Sequence, residues 1–250
     1  MKNVLCLFIT LLIAQIVSAG EMPPPFMGDW RGEWVNPTNA YLENSNQITA
    51  QVIGLGGDEY QVTFKGEFER RSEPIFSGIG QYKNGSIKIK GENWECKVTD
   101  TSIDGEGVYK GKESSQFKLS KFTRISPTMG RRAPKGAVVL FDGESLDSWK
   151  HIEKDGAEID PVWKIVDGAI ESVPKKVTKK GGDLVSKQTF KSCELHIEFK
   201  LPYEPENRGQ GRANTGVFLQ GNYEVQMLDS YGLIGDWSEC GALYKVAPPG

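Results

Sequence analysis

The chain has 250 residues, with 30 Lys and Arg against 33 Asp and Glu for a formal net charge of -3, and 38% of its residues are hydrophobic. This near-neutral balance gives no electrostatic reason to expect nucleic acid or an acidic membrane as partner. The length exceeds one typical domain of about 100 to 150 residues, so two cores are expected.

Lys2 precedes an apolar run from Val4 to Val17, and Val17-Ser18-Ala19 is a small-residue cleavage motif before Gly20. The pattern predicts a signal peptide over residues 1–19 and a mature chain that begins at Gly20 or Glu21, periplasmic or secreted. The run is shorter than the roughly 20 residues a bilayer-spanning helix needs, and a polar, Pro-rich stretch follows, so no membrane span is expected after cleavage. Cys6 lies inside the apolar run, which does not fit a lipid-anchored lipoprotein. Cleavage leaves Cys96, Cys193 and Cys240, an odd number that cannot all pair within one chain. An exported location permits Cys193 with Cys240 but does not imply it.

Residues 27–125 read as a small antiparallel β-meander domain. Alternating runs at Trp30 to Val35, Ile48 to Leu55, Tyr60 to Phe68, Ser86 to Lys90 and Gln116 to Phe122 are separated by turn residues. Asn84-Gly85 joins two runs as a tight hairpin turn would, because both central positions need positive φ; Asn84-Gly85-Ser86 is also a glycosylation sequon, with less in its favour. Gly54-Leu55-Gly56-Gly57 lacks the spacing and following helix of a phosphate loop and reads as a strand-to-strand turn. No catalytic cluster appears in this half, and its expected role is structural or substrate-presenting. Residues 126–136, with two prolines, two glycines and Arg131-Arg132, have no apolar period and read as a solvated linker.

From residue 137 to 250 the pattern is again β. Ala137 to Phe141 runs into an Asp142-Gly143 turn, and Val162 to Val166 faces Ala169 to Val173 across Asp167-Gly168. In Cys193 to Leu201 every odd residue is apolar or Cys and every even one polar, which predicts a core face and a wet face carrying His196 and Glu198. The same logic places Glu224 and Gln226 side by side in Tyr223-Glu224-Val225-Gln226-Met227. Solvent exposure explains Glu194 and His196 well. Glu and Gln at the centre of a strand otherwise rich in apolar residues point instead to a site. Lys175, Lys176, Lys179 and Lys180 flank a loop ending in Gly181-Gly182 and read as a solvated hairpin.

Leu140-Phe141-Asp142-Gly143-Glu144-Ser145-Leu146-Asp147-Ser148-Trp149, Asn214-Thr215-Gly216-Val217-Phe218-Leu219, Tyr223 to Tyr231 and Cys240-Gly241-Ala242-Leu243-Tyr244 follow one another in an order that resembles the 3-keto-disaccharide hydrolase family, also described as 3-keto-glycoside 1,2-lyases and 3-keto-2-hydroxy-glucal hydratases. The resemblance runs from about Ala137 to the last residue and implies a concanavalin-like jelly-roll β-sandwich. The family domain normally continues beyond Pro249, and eight or more strands hardly fit after the linker, so the jelly roll is expected to be incomplete at its C-terminus.

The resemblance implies an oxidised (3-keto) glycoside as substrate, whose C2 proton is acidified by the ketone. Elimination across C1 and C2, then hydration, gives net hydrolysis. Such a site needs a base near C2, an acid for the departing oxygen, and a donor or cation for the enolate. The expected residues are Glu224 as base; Asp229 as acid or metal ligand; Gln226 and Asn214 as hydrogen-bonding groups; Arg212 or Lys245 as charge stabiliser; and Glu198 in substrate binding. Asn214 and Arg212 also have quieter readings, as a turn residue and a loop charge. A structural zinc site is not expected from His151 and His196 without paired cysteines. A divalent cation held by carboxylates would polarise the keto oxygen, and no nucleotide cofactor is implied. The competing readings are a non-catalytic carbohydrate-binding module using aromatics such as Trp163, Tyr223 or Trp237, a conventional two-carboxylate glycosidase using Glu198 and Glu224, and an adhesion or scaffold role.

Overall fold

The computed structural model describes residues 6–12, 22–35, 46–68, 73–109, 113–153, 155–173, 182–233 and 235–249. The expected cleavage motif at Val17 to Gly20 and the loop lysines Lys175, Lys176, Lys179 and Lys180 lie outside the described residues. Among the described residues regular structure is all strand apart from a short 3-10 turn at Gly209–Gly211. None of them forms a helix long and apolar enough to cross a membrane. The chain divides into two compact units, Met1–Gly20 with Ser126–Pro202, and Glu21–Ile125 with Tyr203–Gly250.

Strand β1 (Cys6–Leu12), within the expected signal peptide, lies in the first unit, where its backbone pairs in parallel with two later strands. The second unit is built on β2 (Gly28–Val35), β3 (Gln47–Gly56), β4 (Glu59–Lys65), β5 (Phe76–Lys83), β6 (Ser86–Lys90), β7 (Trp94–Val98), β8 (Ile103–Gly107) and β9 (Ser115–Lys121). Each strand pairs antiparallel with the next, and β9 returns to β2, so the meander expected from the sequence closes into a barrel. Asn84 and Gly85 sit at φ +52 and +77, which makes the β5–β6 connection the predicted tight turn. Gly56 and Gly57, both at positive φ, turn β3 into β4 as expected.

The inward side chains fill the barrel. Trp30, Ile48, Ala50, Val52, Val62, Phe64, Ile87 and Ile103 have no exposed surface, and Phe64 packs on Phe117 at 5.0 Å between ring centroids. Several inward positions on β5 and β8 are glycine. A Cβ on Gly78 would meet Ile89 at 2.7 Å, and one on Gly107 would meet Phe76 at 2.7 Å. The rings thus occupy volume that those strands vacate, as close packing requires. Cys96 faces the same interior, where burial pushes its thiol up to about 12 and keeps it protonated at neutral pH.

The outer face is uneven around the barrel. On β6 to β9 it carries exposed charges such as Lys88, Lys97, Asp104 and Lys118. On β2 to β4 the outward residues Asp29, Thr49, Gln51, Ile53 and Thr63 are buried. Chain from Tyr203 onward contributes to that cover: the Tyr231 hydroxyl reaches Asp29, and Gly232 lies against Ile53.

The first unit contains β10 (Val138–Val139), β11 (Trp149–Ile152), β12 (Glu158–Ile159), β13 (Lys164–Val166), β14 (Ala169–Glu171), β15 (Leu184–Ser186) and β16 (Glu194–Lys200). They form small sheets in the orders β10-β1-β16, β12-β11-β15 and β13-β14. Asp167 and Gly168, at φ +50 and +74, make the predicted hairpin between β13 and β14. Leu140, Phe141 and Trp149 are buried together, with Trp149 Nε1 donating to the Leu140 carbonyl at 2.7 Å. His151 is buried, and its ring fills the space where a Cβ on Gly182 would stand. The alternation on β16 predicts a core face that the structure does not provide. Leu195, His196, Ile197 and Glu198 are all half-buried and Phe199 is exposed, so the two faces differ little in burial. Cys96, Cys193 and Cys240 are all free thiols.

The barrel packing has a measurable consequence. A Cβ on Gly105 would fall 2.5 Å from Phe117, whereas one on Gly66 meets nothing within 4 Å. In urea unfolding, Gly105→Ala is expected to lose about 1–3 kcal/mol through overpacking, and Gly66→Ala about nothing.

Candidate functional site

The candidate site lies in the second unit on a hairpin of β17 (Thr215–Leu219) and β18 (Tyr223–Met227), turned through Gln220 and Gly221 at φ +54 and +68. Gly216 faces Gln226 and Phe218 faces Glu224 across the pair. Glu224 and Gln226 share a face, as the period of two requires. Gly216 lets that face work: a Cβ there would collide with the Glu224 carboxylate and come within 2.6 Å of its Cγ. The Glu224 side chain therefore lies over bare backbone and is half-buried.

Gln226 is 1% exposed. Its Nε2 donates to Gln210 Oε1 at 2.8 Å and toward the Ser238 carbonyl at 3.4 Å. Both partners are acceptors, which fixes the amide with nitrogen toward them and leaves Oε1 buried without a partner among the described residues. A buried acceptor left unpaired costs about 1–3 kcal/mol, so this oxygen calls for a donor. Asn214 Nδ2 also donates to Gln210 Oε1, at 2.9 Å, and Gln210 Nε2 donates to the Ser238 carbonyl at 2.9 Å. Asn214 is thus a member of an amide cluster as well as the residue that opens β17.

Arg212 and Asp229 form a close ion pair, Nε to Oδ2 at 2.7 Å, with side chains only 8% and 16% exposed. Between Arg212 and Asn214, Ala213 sits fully buried at φ +49, an uncommon conformation for a residue with a Cβ. Its N–H donates to the carboxylate of Glu204 at 2.8 Å, and Glu204 is itself 6% exposed. Glu239, 7% exposed, accepts the Gly235 N–H at 2.6 Å and organises the loop carrying Ser238. Hydrogen bonds from Ser238 hold the Asp236 carboxyl below its ordinary range.

The structure thus brings Glu224, Gln226 and Asn214 into one hairpin with Arg212 and Asp229 beside it. Lys245 is exposed at φ +60 with its ammonium 5.2 Å from the centre of the Tyr244 ring. Glu198 belongs to the other compact unit, where it accepts the Gly130 N–H at 2.5 Å and lies 3.1 Å from His196 Nε2. Sequence reasoning missed Gln210, Ser238, Glu204 and Glu239. Gln210 sits in a Gly-rich turn with no periodicity to single it out, and Ser238 contributes only a backbone carbonyl. Among the described residues no group of three or more His, Cys, Asp or Glu is placed to hold a metal ion.

Removing one partner of a buried ion pair strands the other charge. Arg212→Met is therefore expected to destabilise the protein by roughly 3 kcal/mol in urea unfolding, and adding Asp229→Leu is expected to recover most of that loss.

Residues 136–249 match the family model of the 3-keto-alpha-glucoside-1,2-lyase-like domain. No curated protein matches the chain. Among solved structures, the siderocalin Ex-FABP, described as functioning through dual ligand specificities, is 16% identical over 42% of this chain and 78% of its own, with a TM-score of 0.29. The lipocalin Q83, whose expression is activated by cell transformation by the myc oncogene, is 18% identical over 44% of this chain and 79% of its own, also at a TM-score of 0.29. The residues that match this family model include the hairpin, the amide cluster and the ion pair.

Proposed function

We propose that this is an exported carbohydrate-active enzyme that cleaves 3-keto-glycosides by elimination across C1 and C2 followed by hydration. The observation that carries the reading is the orphaned Oε1 of buried Gln226 beside the Glu224 carboxylate, which asks for a hydroxyl donor next to a base. A sugar supplies that donor. On this reading residues 137–249 are part of a concanavalin-like jelly roll, and residues 1–19 direct export.

The ketone at C3 lets the C2–H electron pair delocalise into an enolate as Glu224 takes the proton. Arg212, held through Nε by Asp229, places its guanidinium where the enolate oxygen develops charge. The C1–O bond then breaks as the enolate collapses, and the departing oxygen takes from Glu224 the proton that Glu224 removed from C2. Water adds across the resulting C1–C2 double bond to complete net hydrolysis. Gln226 and Asn214 orient the sugar hydroxyls, and Lys245 is the alternative cation for the enolate oxygen. Carboxylates in this region would hold a divalent cation only as part of a larger donor set; bound there, it would act as a Lewis acid on the keto oxygen.

A second reading is favoured by the exposure of Tyr223 and Trp237, 52% and 49%: aromatic faces of this kind stack on sugar rings in a binding module without chemistry. The half-buried Glu224 on the same strand face as a buried amide supports catalysis over binding alone.

Incubation with a 3-keto-disaccharide and with its unoxidised parent, followed by mass spectrometry, separates these readings. Release from the keto compound alone is expected, and Glu224→Gln is expected to lower kcat by about 100-fold or more. Equal release from the parent would indicate a conventional glycosidase, and binding without release a carbohydrate-binding module. Export is checked by N-terminal sequencing of the protein recovered from the periplasm or medium, which is expected to start at Gly20 or Glu21.

A further inference from the structure

The family domain and the barrel are joined by contacts that the family match, confined to residues 136–249, does not cover on the barrel side. Within the second compact unit, the segment bearing Arg212, Asn214 and Asp229 is fastened to β2, β3 and the β3–β4 turn at both of its ends. At the first end, Glu206 accepts the Gly57 N–H at 2.9 Å, Arg208 donates to the Leu55 carbonyl, and the Tyr203 hydroxyl fills the space that a Cβ on Gly54 would take. At the other end, Gly232 lies against Ile53, and the Tyr231 hydroxyl donates to Asp29 Oδ1 at 2.5 Å.

Asp29 is 8% exposed and is itself held in place. Gln51 Nε2 donates to Oδ1 at 3.2 Å, and Arg124 Nε donates to Oδ2 at 2.6 Å. It points outward from β2 because its neighbour Trp30 points into the barrel core. Tyr231 stands two residues from Asp229, whose Oδ1 accepts the Tyr231 N–H at 3.3 Å while its Oδ2 binds Arg212. One rigid path therefore runs from the barrel wall through Asp29 and Tyr231 to the ion pair. Burial and the Asp29 carboxylate push the Tyr231 hydroxyl above its ordinary range, so it stays a donor at any working pH.

We infer that the barrel is a built-in clamp for the sugar-cleaving site, and that Asp29, acting through Tyr231, is a positioning residue for the Arg212–Asp229 pair. The inference rests on the functional reading above. Its anchoring step is read without substrate. Tyr231→Phe removes one hydroxyl and keeps the ring. It is expected to speed amide hydrogen exchange in residues 209–233 by about tenfold or more and leave β5 to β8 unchanged, since only the local opening is made easier. With 3-keto-disaccharide, kcat is expected to fall about tenfold while KM moves less than about twofold, because positioning acts on the reacting geometry more than on binding. Asp29→Asn keeps an acceptor for Tyr231 and is expected to retain kcat within about threefold, whereas Asp29→Ala matches Tyr231→Phe. The double variant Asp29→Ala with Tyr231→Phe is expected to be no worse than either alone, as two changes to one contact should be. Unchanged exchange in residues 209–233, unchanged kcat in Tyr231→Phe, or additive losses in the double variant would overturn the clamp. If the wild-type protein releases nothing from the keto compound, the functional reading falls, and exchange in the single and double variants still decides whether Asp29 and Tyr231 anchor the segment.

Discussion

The return of β9 to β2 is the constraint on which the second unit depends. A strand paired on both edges has no free backbone to offer, so β2 is fixed in position and in register, with Trp34 opposite Phe117 on one side and Trp30 opposite Ala50 on the other. Its alternation then assigns Trp30 and Trp34 to the interior and Asp29 and Arg31 to the outer wall. The same eight strands could not close around so many rings if every inward position carried a side chain. Gly78, Gly80, Gly105 and Gly107 make the room, which ties the fold to glycines as firmly as to the aromatics.

What happens on the outer wall follows from burial. Asp29, Thr49 and Gln51 would be ordinary solvent-facing residues on an isolated barrel, as Lys88, Lys97 and Asp104 are on its far side. Once covered, each polar atom needs a partner, and Asp29 finds three donors, from Gln51, Arg124 and Tyr231. A covered carboxylate with a guanidinium and two neutral donors is far better satisfied than one with the guanidinium alone. The Arg212–Asp229 pair is built the same way, with the Tyr231 backbone N–H as a second donor to the carboxylate. On this closed wall the Asp29 carboxylate is held by its three donors, while Gln51 Oε1 is buried without a partner among the described residues.

Much of this was legible in the residues. The Asn84-Gly85 and Asp167-Gly168 hairpins followed from the need for positive φ, and the shared face of Glu224 and Gln226 followed from the period of two. Barrel closure was not legible, because β5 and β8 replace inward apolar residues with glycine and so erase the alternation that would have announced them. The even-odd pattern of β16 was legible and misleading: periodicity reports which residues share a face, and only a covering layer makes that face a core. A hint of the covered barrel wall was present in the outward residues of β3, where Thr49, Gln51 and Ile53 stand in place of the lysines and glutamates found outside β6 and β7. Gln210 and Ser238 could not be found this way, since an amide in an irregular turn and a backbone carbonyl leave no period and no composition bias.

The chemistry that the site supports depends on one asymmetry between two neighbouring side chains. Glu224 lies half-buried over Gly216, while Gln226, two residues on, is buried and held by acceptors on its nitrogen side. A fixed amide oxygen without a donor cannot adapt to whatever arrives; it selects for a hydroxyl at one distance and one angle. On the reading proposed above, the Glu224 carboxylate on the same face moves a proton of the ligand that Gln226 holds. A held acceptor and a carboxylate on one strand face, about 7 Å apart as i and i+2 must be, can reach two atoms of one ligand. Such a pair fits the proposed reaction, in which a positioned sugar loses a proton from carbon, and it places one carboxylate rather than two on this strand face.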